Sequence, residues 1–193
     1  MEYFEDLKWI EEKYGQKYCN SGGAEGADTI FEQECASNGI PTIAWSFLKH
    51  KTKSSHKKNL TENELNEGFE HVKIANKSLK RSIFLQPYVK NLLSRNWFQV
   101  KYSDAIFAVA NLDGKNKVSG GTGWCCAMAI DNKKPVYVFD MNYKKWFIYD
   151  YDISEFKEYD GIPKLTDKFA GVGSREINEF GINAIKQLFQ KNI

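Results

Sequence analysis

Apolar positions along the chain follow two alternating rhythms. Phe4, Leu7 and Ile10 recur at helical spacing and predict a first helix over residues 3–14. "QKYCN" (16–20) is too short for a helix and reads as a strand running into glycines. Residues 29–39 return to helical spacing, with Ile30, Phe31 and Cys35 on one side and Gly39 as the stop. "PTIAW" (41–45) predicts a second strand. Thr61 with Glu64 forms the capping-box pattern that opens a helix through about Ser78. Residues 87–103 suit one helix, with Pro87 in its first turn. "DAIFAVANL" (104–112) is the continuous apolar run of a strand buried on both faces. "VSGGTGWCCAMAIDN" (118–132) sets glycines before an apolar helix, and "PVYVFD" (135–140) is a strand. Residues 144–159 read as an irregular aromatic segment, and residues 168–192 as strand, glycine turn and helix. Strands alternating with helices imply one α/β domain over residues 1–193, its parallel sheet covered on both faces.

Composition narrows the function classes. A hydrophobic content of 42% with 15% aromatics is that of a folded domain. A net charge of +2 and a pI near 8.2 give no strongly basic field, so nucleic acid is not an expected partner. One run departs from this balance. "KHKTKSSHKK" (49–58) carries five lysines and two histidines without an acid, and reads as a solvated loop or as a phosphate-steering one. Cysteines 19, 35, 125 and 126 fit neither a zinc spacing nor a disulfide framework, and are expected as buried thiols. The acidic, amphipathic first helix is unlike a signal peptide, and no apolar run approaches a membrane span. A cytoplasmic protein without metal, cofactor or membrane partner is therefore expected.

The candidate chemistry gathers where strands hand over to helices. "NSGGAEGAD", "VSGGTGW" and "AGVGSRE" all carry glycine there, and in a parallel sheet such turns share the carboxyl edge that binds ligands. Glycine admits a ligand to backbone N–H groups, and the helix dipole behind them favours an anion. None of the three is a Walker A loop or a complete dinucleotide fingerprint. Ser21, Gly22, Gly23, Gly120, Gly121, Thr122, Gly123, Gly173 and Ser174 are thus candidate ligand-binding positions, with Trp45 and Asn111 at neighbouring strand ends. Glu25 and Asp28 stand in the first turn, where a carboxylate caps a helix or binds sugar hydroxyls. Arg175 at a helix start opposes the dipole, which points to an anion there. Asp104 precedes its strand, ~20 Å from this edge, and reads as a structural cap. Trp45 and Trp124 could stack on a base or pack in the core.

"SGGAEGAD", "SRN" (94–96), "SGGTGW" and "AGVGSRE" together resemble the SLOG superfamily, which includes YpsA-like proteins, DprA and LOG-type phosphoribohydrolases. The resemblance spans most of the chain and implies a Rossmann-like three-layer sandwich with a mostly parallel central sheet. Its order differs from the phage and bacterial branch, where the GIGSR-like strand comes first. Here "GVGSR" comes last, which implies a circularly permuted, YpsA-like member. The resemblance also adds Arg95 and Asn96 to the site. In LOG-type members a glutamate helps break the N-glycosidic bond of nucleoside 5′-monophosphates, and that position is Ala127 here.

Two functions are therefore expected. In the first, the chain binds a nucleotide-derived small molecule, ADP-ribose-like or cyclic, as a sensor or sequestering protein. In the second, it is a nucleotide N-glycosidase, with Arg95 clamping phosphate and Glu25 or Asp28 standing in for the missing glutamate. The family also implies a homo-oligomer, for which the helix at 2–14 or the aromatic segment at 143–151 would offer a surface. The Lys/Asn/Tyr-rich composition suits a phage or a low-GC bacterium.

Overall fold

The structure, a computed structural model, describes residues 2–83 and 86–193, with side chains from residue 6 onward. Its centre is an eight-stranded sheet. In chain order the strands that set its frame are β1 (Tyr18–Ser21), β2 (Thr42–Ser46), β3 (Lys57–Asn59) and β4 (Ala105–Val109). Two short strands, β5 (Leu112–Asp113) and β6 (Lys117–Val118), pair only with each other. β7 (Val136–Asp140), β8 (Lys145–Asp150), β9 (Glu155–Glu158) and β10 (Lys168–Gly173) complete the set. The sheet order is β3-β2-β1-β10-β4-β7-β8-β9, parallel as far as β7 and antiparallel from there.

The last strand of the sequence therefore lies in the middle of the sheet. Counted from β10, the strands β2-β1-β10-β4-β7 read 3-2-1-4-5, the doubly wound order, and its direction reverses between β10 and β4. That reversal is where an open α/β sheet offers a crevice at its carboxyl edge.

Period-two alternation explains the layers. Phe107, Val109 and Phe169 face one side, where α2 (Ala27–Ser37) and α7 (Glu179–Asn192) cover them with Phe31, Leu188 and Phe189. Gly171 makes this packing possible, because a Cβ there would overlap the ring of Phe31. Ile106, Ala108, Ala170 and Val172 face the other side. There α3 (Glu62–Leu79), α4 (Pro87–Ser94), α5 (Asn96–Lys101) and α6 (Thr122–Asp131) form the third layer. The first helix, α1 (Glu2–Tyr14), covers the same face: Ile10 is buried in its core, and Asp6 accepts the Tyr102 hydroxyl at 2.9 Å. Thr61 and Glu64 do form the capping box that opens α3. All four cysteines are free and buried, and among the described residues no helix is long and apolar enough to cross a membrane.

Several elements differ from the sequence reading. Residues 145–158 are not irregular but form the hairpin β8–β9, which extends the chain's own sheet. Aromatic side chains on both of its faces had masked the alternation. The end of the basic run forms edge strand β3, where lysines keep the edge solvated. The helix expected over 87–103 is two helices that meet at Arg95. α7 opens at Glu179, three residues later than the motif suggests, with the Asn178 side chain accepting the Gly181 amide. Arg175 therefore precedes the helix and is not set against its dipole. Asp104 does precede β4 at the opposite edge, but it is exposed.

Candidate functional site

The carboxyl edge brings the three glycine turns together, but most of their glycines serve the protein's own packing. Gly26 opens α2 at φ +93, a conformation that suits glycine, and a Cβ there would strike the carbonyls of Ser174 and Arg175. The Ala27 amide donates to Ser174 O at 3.1 Å, and the Ser174 amide to Val109 O at 2.8 Å. Gly173 leaves no room for a Cβ against Val109 O and Ala27. The first and third turns are thus knitted backbone to backbone. The Ser21 hydroxyl faces inward, donating to Glu32 at 2.6 Å and accepting from the Gly23 amide at 3.0 Å.

Asp28 locks this joint. It sits in the first turn of α2, not at its cap, and is only 4% exposed. Its two oxygens accept from the Ala24 amide at 3.3 Å and the Gly173 amide at 3.2 Å. Burial pushes its carboxyl up to about 6, against the opposing pull of Arg95 and the two amides. Glu25 points elsewhere, exposed and paired with Lys53 at 3.1 Å. The basic segment reaches this turn a second time, where Thr52 donates its hydroxyl to Gly23 O. A groove of ≈ 520 Å³ lies beside that contact, between α2 residues Thr29, Ile30 and Gln33 and residues 53–56. Arg95 and the α6 turn are not part of its lining.

The second turn is different. Gly120 (φ +64) and Gly121 are exposed, and nothing lies within 4 Å of where their Cβ atoms would be. They lead into α6, where the Gly123 amide donates to the carbonyls of Ser119 and Gly120 and the Trp124 amide to that of Gly121, while the amides of Gly121 and Thr122 make no hydrogen bond among the described residues. Two neighbours hold this open turn. Arg81 donates from Nη1 to Gly120 O and from Nη2 to Val118 O, each at 2.8 Å. The Ser119 amide and hydroxyl both donate to Asn111 O at 2.9 Å. Asn111 itself sits just past β4, beside the reversal point, with a buried Oδ1 that has no partner. Gly123 is closed by Val118 O, and Thr122 is buried in the first turn of α6.

Arg95 occupies the space left by Gly22, whose Cβ would overlap the guanidinium. It is 6% exposed, and its Nη1 donates to Gln99 Oε1 at 3.0 Å and to Asn96 Oδ1 at 3.3 Å. Nε is buried without an acceptor, Nη2 makes no hydrogen bond, and no ion pair reaches the group among the described residues. Burial pulls its pKa down, with Asp28 the main opposing influence and Arg175 adding repulsion. Its charge is felt at Cys125 on α6 and at His50. Arg175 is exposed and likewise forms no ion pair among the described residues.

Trp45 is corrected from ligand platform to core. It is fully buried, stacked on Tyr102 at 5.2 Å, and donates from Nε1 to Asn20 Oδ1 at 2.9 Å. Trp124 is buried as well. Ala127 lies buried within α6, so no carboxylate replaces the LOG-type glutamate at that position. Arg81 and Gln99 were missed by the sequence reading, and His50 was noted only as part of the basic run at 49–58. The spacing of Gln99, one turn after Arg95, could have flagged it.

Comparison with known proteins gives no match: no family description, curated protein or solved structure corresponds to this chain.

Proposed function

We propose that this chain is a SLOG-type binding protein that holds the anionic group of a nucleotide-derived small molecule between Arg95 and the Gly120–Gly121 turn, and releases it intact. The observation that carries this reading is Arg95. A buried guanidinium with no direct ion pair among the described residues, opposed only at longer range by the Asp28 carboxyl, is costly unless a bound anion completes its pairing. A phosphate at the open turn would meet the Nη2 donor and the amides of Gly121 and Thr122.

The carboxylates favour holding over cutting. Hydrolysis of an N-glycosidic bond requires stabilisation of an oxocarbenium-like sugar. Both oxygens of Asp28 are engaged by backbone amides, Glu25 is turned to Lys53, and Ala127 offers nothing.

The test is to incubate the purified protein with nucleoside mono- and diphosphates, cyclic nucleotides and ADP-ribose, then chromatograph the mixture and the heat-denatured protein. Recovery of an intact nucleotide from the protein is the expected result. Free base with ribose phosphate would overturn the binding reading in favour of an N-glycosidase. No retained nucleotide and no product would remove both.

A further inference from the structure

Beside Arg95 stands an aromatic group that no motif flagged. Arg95, the residue that caps the end of α4, follows Tyr88 by seven positions, so the two share one face about 10 Å apart along the helix axis. The backbone of Arg95 is still helical (φ −63, ψ −23), which carries that face through to it. The Tyr88 ring is 36% exposed, yet it is fixed in place. Its oxygen accepts the Lys51 amide at 3.1 Å, and its ring packs T-shaped with that of Phe47, centroids 5.5 Å apart. His50 stacks on the same Phe47 at 4.8 Å, with Nδ1 3.0 Å from Ser46 Oγ. Its other nitrogen makes no hydrogen bond among the described residues. Partial burial and the Arg95 charge push the His50 pKa down to about 4, leaving a neutral ring at neutral pH.

We infer that Tyr88 and His50 form the seat for an aromatic base, so that the molecule held at Arg95 is a nucleoside phosphate rather than a sugar phosphate. This rests on the binding reading above and adds which part of the ligand gives it affinity. A rigid, half-open tyrosine face gives a base a stacking surface at little entropic cost, because packing against Phe47 already holds the ring. Two helical turns separate this seat from the guanidinium, a spacing on the scale of one nucleotide from base to phosphate. His50 Nε2 lies beside the seat, able to hydrogen-bond to a base edge.

The experiment is calorimetric titration of adenosine 5′-monophosphate and ribose 5-phosphate into wild type, Tyr88→Phe and Tyr88→Leu. Wild type is expected to bind the nucleotide more tightly than the sugar phosphate. Tyr88→Leu should lose about tenfold in nucleotide affinity while its affinity for ribose 5-phosphate stays unchanged. Tyr88→Phe, which keeps the ring, should stay within about twofold of wild type. Unchanged nucleotide affinity in Tyr88→Leu would overturn the seat and leave the anion site standing. Equal weakening of both probes would also overturn it, as a general distortion. If wild type binds neither probe, this inference falls, while the binding reading stands or falls separately on the wider nucleotide panel above.

Discussion

Replacing two glycines one at a time separates packing from binding at this edge. In Gly22→Ala the new methyl overlaps Arg95, with Cζ at 2.6 Å and Nη2 at 2.7 Å from the ideal Cβ. The guanidinium must then leave Gln99 Oε1 and Asn96 Oδ1. Losing buried hydrogen bonds to a charged group costs about 1.5–3 kcal/mol. For a chain of this size that lowers the unfolding midpoint by roughly 3–12 °C. In Gly121→Ala the methyl enters open space from a helical backbone (φ −64, ψ −32), so stability should stay within about 0.5 kcal/mol of wild type. The two proteins are compared by thermal unfolding and by calorimetric titration with the nucleotide retained by wild type. Gly22→Ala should lose stability and affinity together, because it displaces Arg95. Gly121→Ala should unfold with wild type yet bind at least tenfold more weakly, since a methyl now stands where the anion would sit. A Gly22→Ala protein that keeps full nucleotide affinity would refute the seating of Arg95, and full affinity in Gly121→Ala would remove the α6 turn from the site.

Three further outcomes follow from the same geometry. Asp28 has a folded pKa of about 6 against an ordinary 3.8, so the native state binds its proton more tightly than the unfolded chain. Its contribution is fully present below about pH 4 and is lost as pH rises through 6, a change of about 3 kcal/mol. His50 is shifted the opposite way, so the readout is the stability of wild type minus that of Asp28→Asn between pH 4 and 7; a flat difference would show that Asp28 titrates normally. Lys134 donates to the carbonyls of Val100, Lys101 and Ser103 at 2.7, 3.1 and 2.6 Å, closing the end of α5. Lys134→Met should cost about 2–3 kcal/mol in denaturant unfolding and leave nucleotide affinity unchanged. Arg81→Ala frees the carbonyls of Val118 and Gly120, and should weaken nucleotide binding about tenfold with a small change in midpoint, because the entry turn of α6 is no longer preorganised.

Much of this architecture was legible because local signals agreed with the global fold. The apolar run at 105–109, the Thr61–Glu64 box and the glycines at strand ends each carry their meaning within a few residues. The aromatic hairpin was not legible, since Trp146 and Phe147 are both apolar and erase the period of two. Neither was the division of labour among the glycines. Gly22, Gly26 and Gly173 face other parts of the protein and Gly121 faces open space, a difference set by residues distant in sequence such as Arg95, Ser174 and Val109. Tyr88 and His50 were hidden for the same reason: they meet only because residues 47–51 fold back onto α4.

The central claim is that Arg95 is a binding group held ready at some cost to the fold, and Arg95→Met tests it most directly. Removing a desolvated charge while keeping its volume should leave the unfolding midpoint within a few degrees of wild type. Calorimetric titration with the nucleotide retained by wild type should then show affinity lower by a hundredfold or more, the scale of one lost charge-assisted phosphate contact. An Arg95→Met protein that binds as wild type does would contradict the account.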